Sequence, residues 1–133
     1  MILTTKARYA VMAVLEIWHS HQQNNKAINL NQIAIAQNIS LSYLEQIFSA
    51  LKKSGIVIAV KGPGGGYILA KTPQEITIAN IIKAIGEPIK MTRCQAKSTG
   101  CLQSKSKCKT HHLWQGLENQ IYSYLESITI QSL

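Results

Sequence analysis

A mainly α chain carrying one small β-hairpin is the fold class this sequence predicts. Three observations predict it. Apolar residues recur at helical spacing in successive stretches up to Leu51, the period shortens to that of strands at Ile56, and a wide apolar stripe returns after His111. With 133 residues the chain makes one domain with at most one appended element, and the core it can bury is modest.

Each element has a local reason. Thr4 or Thr5 caps a first helix running to about His21, with Ala7, Val11, Val14, Leu15 and Trp18 on its inner face. After a polar turn, a short helix covers about Asn31 to Gln37 and turns Leu30, Ile33 and Ala34 inward. Asn38 suits a left-handed turn position. Ser40 or Ser42 starts a third helix, Ser42 and Glu45 have the spacing of a capping box, and Leu44, Ile47, Phe48 and Leu51 form its buried stripe. Lys52 and Lys53 complement the dipole at its end, and Gly55 stops it. Ile56 to Val60 and Tyr67 to Leu69 read as short strands joined by a glycine-rich tip, Lys61 to Gly66. A helix from about Thr77 to Ile85 carries Ile78, Ile81, Ile82 and Ile85, and ends at Gly86 and Pro88. A basic loop fills Lys90 to Thr110. The last helix runs from about His111 to Ile128, with Leu113, Trp114, Leu117, Ile121, Tyr124 and Leu125 on its apolar stripe.

Helix, helix, turn, helix, hairpin is the order of a winged helix-turn-helix. The chain therefore divides into a nucleic-acid-binding head over 1–72, a linking helix over 73–89, a loop over 90–111 and a C-terminal helix over 112–133. Charge agrees with that head. Fourteen Lys and Arg face six Asp and Glu, a net charge of +8, which suits a polyanionic partner, here double-stranded DNA. Ser40, Ser42, Tyr43, Glu45 and Gln46 lie off the buried stripe at the start of the third helix. There a glutamine can read adenine and a glutamate can accept from cytosine. The run Gly62 to Gly66, with Gly64 and Gly65 at its centre and Lys61 at its base, suits close approach to a phosphate ridge or minor groove. It lacks the ending of a nucleotide phosphate loop.

Cys94, Cys101 and Cys108 are the only cysteines, and His111 follows the last with two residues between; the gaps are six, six and two. Three thiolates and one imidazole make a complete four-ligand set for a metal or an iron–sulfur cluster. Between Lys90 and Lys109 six cationic side chains and no acid would offset the charge of such ligands. Zinc sites usually have two short chelating pairs, whereas here only Cys108 and His111 are close. His112 adjoins His111 and is an alternative donor. No catalytic constellation stands out: His19 and His21 end an amphipathic helix without a partnered nucleophile, and no small-molecule substrate is implied. Glu16 interrupts the apolar stretch from Ala10 to Trp18, so neither a signal peptide nor a membrane span is expected, and a cytosolic protein is.

Nearly the whole chain resembles the iron–sulfur cluster regulators, a family of dimeric winged helix-turn-helix transcription factors. The resemblance is carried by Leu3 to Val11, by Ile39 to Phe48, and by Gly62-Pro63-Gly64-Gly65-Gly66-Tyr67. It continues through Arg93-Cys94-Gln95, Cys101, Cys108-Lys109-Thr110-His111 and Trp114. It implies a [2Fe–2S] cluster on Cys94, Cys101, Cys108 and His111, with [4Fe–4S] or zinc left open. It implies a homodimer whose last helix crosses into the partner, a palindromic operator, and control of genes for cluster assembly and iron handling. Two departures are visible. Lys61 stands where the family has arginine, and each gap between cysteines is one residue longer.

Overall fold

The computed structural model describes residues 4–91, 100–104 and 106–133; Cys94, with Arg93 and Gln95, and Leu3 fall outside them. Among the described residues the order is α1 (Thr5–Asn24), α2 (Leu30–Gln37), α3 (Leu41–Lys53), β1 (Val57–Val60), β2 (Gly66–Leu69), α4 (Ile78–Ala84) and α5 (His111–Ser127). A single 3-10 turn, Ile130–Ser132, follows. None of the described helices is long and apolar enough to cross a membrane.

Thr4 caps α1, its side chain accepting from the Ala7 amide, and Asn25 closes the helix in the left-handed region at φ 51°. The buried stripe of α1 differs from the sequence reading. Ala7, Ala10, Ala13, Val14 and Ile17 are buried, while Val11, Leu15 and Trp18 lie half-buried at its margin. Alanines let neighbouring elements approach the helix axis closely. The helix therefore turns its small residues, not its largest, toward the centre.

Asn29 caps α2 in a reciprocal box with Gln32, and Asn38, at φ 52°, makes the turn into α3. Gln37 Nε2 donates to Glu16 Oε2 at 2.6 Å and ties α2 to α1. The cap of α3 is Ser40, whose Oγ accepts from the Tyr43 amide. The box expected of Ser42 and Glu45 does not form: Ser42 already lies inside the helix, one residue past its start, and its hydroxyl pairs with Ser40 Oγ at 3.3 Å. Leu44, Ile47, Phe48 and Leu51 are fully buried, as their spacing predicts.

β1 and β2 pair antiparallel, with Val57 opposite Leu69 and Val60 opposite Gly66. The hairpin is docked on the head. Tyr67 exchanges backbone hydrogen bonds with Ile28, and its ring lies 4.7 Å from that of Phe48. This docking gives the glycine run an internal cause. A side chain at Gly66 would strike the Ile28 backbone, and one at Gly65 would strike the Val60 and Gly62 carbonyls.

Thr77 caps α4 in a box with Asn80, and Ile78, Ile81, Ile82 and Ile85 are all buried. The sequence reading carries the last helix beyond where it ends. Ser127 is its final residue, and the chain then returns against α4. Ile78 N donates to Ile128 O and Ile130 N to Ile76 O, each at 2.9 Å, and Ile130 is fully buried. Seating Ile130 in the core requires extended backbone at Ile128 (ψ 123°), which ends the helix.

Candidate nucleic-acid interface and metal-ligand pocket

The start of α3 presents Ser40, Ser42, Glu45 and Gln46 to solvent on the face opposite Leu44, Ile47 and Phe48. Tyr43 is different. It is half-buried, and its ring meets Tyr9 edge-on at 5.8 Å, so much of it serves packing between α1 and α3. Leu41, the first residue of α3, is 42% exposed and joins this surface, a position that helix-stripe reasoning passed over. Apolar contact there suits a thymine methyl. Lys61 follows β1 directly and is exposed, as is Gly64 at the tip, while Gly65 is partly covered.

A second region forms at the root of α5. Cys101, Cys108, Thr110, His111 and Trp114, with Met91 and Leu102, line one pocket of about 290 Å³. Cys101 Sγ lies 2.9 Å from His111 Nδ1. Cys108 faces the same space, but its sulfur contacts Thr110 Oγ1 at 3.8 Å. Among the described residues, no three His, Cys, Asp or Glu side chains gather closely enough to hold an ion by themselves. His111 is the only buried polar residue described, 5% exposed, whereas His112 is exposed and its ring stands edge-on to His111. Of the two adjacent histidines, His111 lines the pocket and His112 does not. Two residues had no role assigned from sequence. Glu118 Oε2 accepts from the Met91 amide at 3.1 Å and pins the entry of the loop to α5, and the Thr110 hydroxyl accepts from Trp114 Nε1 at 3.1 Å. In sequence, Thr110 directly precedes His111 and Glu118 stands two helical turns after it.

Along α5, Leu113 is 61% and Tyr124 65% exposed; Trp114 and Leu117 are exposed too, while Ile121 and Leu125 are half-covered. One face of α5 is therefore apolar and open in the single chain.

The Rrf2 family, described as iron-dependent transcriptional regulators, matches residues 3–133. This chain belongs to the Rrf2 family. Its curated relatives include the HTH-type transcriptional regulators IscR of Photorhabdus laumondii subsp. laumondii, 46% identical, and of Yersinia pseudotuberculosis serotype O:1b, 47% identical. Each alignment covers 133 residues, all of this chain and 79% of the relative. Among solved structures, T. potens IscR superposes with a TM-score of 0.79 at 28% identity, covering 99% of this chain and 85% of that one. CymR, the global cysteine regulator of B. subtilis, superposes at 0.80 and 27%, covering 99% and 95%. This Rrf2 member is a DNA-binding transcriptional regulator of the IscR type and not an enzyme.

The donor chemistry of the pocket suits an iron–sulfur group. Two soft sulfurs and a buried imidazole share its lining, and a cavity of about 290 Å³ has room for more than one ion. Cys94 stands three residues beyond Met91, itself a lining residue.

Proposed function

We propose that this Rrf2 regulator is a cluster-dependent switch: a homodimer that reads a palindromic operator with α3 and the hairpin. Its affinity or site choice would follow the state of a [2Fe–2S] group held by Cys94, Cys101, Cys108 and His111. Genes for cluster assembly and iron handling are the expected targets. The observation that carries the reading is the shared pocket of Cys101, Cys108 and His111, built on the first turn of α5.

When bound, the group would supply one-electron redox chemistry, with a potential raised by its histidine ligand. The protein's part is mechanical. His111 N donates to Cys108 O at 3.1 Å, so the ligand loop runs straight into the helix. Glu118 fastens the other end of the loop to the same helix. Beyond Ser127, the returning segment fixes α5 to α4, and α4 packs on α1. Loop arrangement, α5 and the reading head thus form one connected body, and a ligand with different affinity for two arrangements of the loop shifts the head's equilibrium by that difference. A second copy covering the open face of α5 would set the spacing of two α3 helices to half-sites on one face of the duplex.

The test is anaerobic purification with iron and sulfide counts, a visible spectrum, and binding to a duplex selected from a random pool. Wild type should be coloured and His111→Ala and Cys101→Ser colourless with unchanged helicity, and only wild type should change site choice on loading. Leu117→Glu should yield monomers in sedimentation. Iron-free, colourless wild type, or indifference of DNA binding to loading, refutes the proposal. The 2.9 Å contact of Cys101 with His111 favours one rival, a zinc- or thiol-based regulator. That rival predicts zinc, or reversible thiol oxidation, in place of iron and sulfide.

A further inference from the structure

The starts of the helices point to one residue that behaves unlike its counterparts. At α1, α2, α3, α4 and the C-terminal turn, the residue before the first helical position has extended backbone. In each its side chain accepts from the amide three residues on: Thr4 from Ala7, Asn29 from Gln32, Ser40 from Tyr43, Thr77 from Asn80, Thr129 from Ser132. Thr110 holds the same place before α5, yet sits at φ −101°, ψ 8° and makes no side-chain cap. The helix forgoes a stabilising bond that threonine readily supplies. The hydroxyl is turned to the pocket instead, 3.1 Å from Trp114 Nε1 and 3.8 Å from Cys108 Sγ.

Chemistry fixes the donor in the first of these contacts, and the state of the sulfur fixes it in the second. An indole N–H can only donate, so Thr110 Oγ1 accepts from Trp114. A free thiol at Cys108 could also donate to Thr110 Oγ1, but a ligating thiolate carries no proton, so against it only the Thr110 O–H donates. We propose that Thr110 is a positioning residue for the metal-ligating sulfur: Trp114 fixes the Thr110 hydroxyl so that its O–H donates to Cys108 Sγ and tunes the group that Cys108 holds. The inference rests on the cluster reading above. A hydrogen bond to a ligand sulfur favours the more negative, reduced state, so losing it lowers the reduction potential. Trp114 then has a role in the pocket in addition to any on the open face of α5.

The test uses the full chain with Thr110→Val, Thr110→Ser, Trp114→Phe and the Thr110→Val/Trp114→Phe pair. In cluster-free protein, hydrogen exchange of the Trp114 indole N–H by NMR should quicken several-fold in T110V and stay at the wild-type rate in T110S. In anaerobically loaded protein, spectroelectrochemical titration should give a lower midpoint potential for T110V, a wild-type potential for T110S and a smaller drop for W114F. The pair should fall no lower than T110V alone, because the two groups act in series. Should T110V take up no cluster, W114F and the indole exchange decide the matter. Loaded wild type, T110V and T110S sharing one potential would overturn the inference while leaving the cluster reading intact. Wild type without iron and sulfide overturns the cluster reading itself, and the tuning role with it.

Discussion

Replacing Ile130 by alanine tests whether α5 is anchored to the reading head. Ile130 is fully buried although it lies three residues past the end of α5, and it is held beside Ile76 by a 2.9 Å backbone bond. The change deletes three carbons, about 2.4 kcal/mol of transfer free energy at roughly 0.8 kcal/mol each. Ile76, bonded to Ile130 through the backbone, and Ile78 and Ile81 of α4 belong to the same buried core, which relaxes only partly, so a cavity remains and the total should reach about 3–4 kcal/mol. At a urea slope of about 2 kcal/mol/M the midpoint should fall by roughly 1.5–2 M, at fixed protein concentration because a dimer's stability depends on it. Leu133→Ala, at an exposed position, is the control and should stay within about 0.5 kcal/mol. Amide exchange at Ile78 and Ile130 should quicken together in I130A. If I130A costs no more than L133A, the returning segment is a surface embellishment, and the route from pocket to head is wrong.

Other outcomes follow from single contacts. Ser40→Ala should cost about 1 kcal/mol and Ser42→Ala only a few tenths by thermal denaturation, because Ser40 alone caps α3. Gln46→Ala should relax base preference by about 1–3 kcal/mol at one operator position in a binding-site selection, with unchanged helicity. Lys61→Ala should weaken all duplexes alike and reduce the log–log salt slope by about 1. The Thr72 hydroxyl and amide donate to Glu75 and, with Lys71 nearby, hold its carboxyl below the usual carboxylate range. A depressed folded value stabilises the fold above the unfolded value, and that contribution is lost as pH falls through the folded one. NMR titration should place Glu75 lower in wild type than in Thr72→Val, and equal values would refute the assignment.

Residue pattern alone determined much of this protein. Leu44, Ile47, Phe48 and Leu51, and Ile78, Ile81, Ile82 and Ile85, declare two buried helix faces through their spacing, and Asn38 and Gly55 mark turns through conformations only such residues adopt readily. Cysteine spacing made the pocket legible in outline. Other features needed the folded chain, since they depend on what lies far away in sequence. The inner face of α1 rotated onto its alanines because its neighbours come close. Gly66 is required by Ile28, and Ile130 by Ile76. The choice of Ser40 over Ser42 as cap, of His111 over His112 in the pocket wall, and the turning of Thr110 toward Cys108 are decided by backbone geometry at a helix start. Periodicity records which side of an element is apolar; only tertiary packing decides which partner meets it and where each polar proton goes.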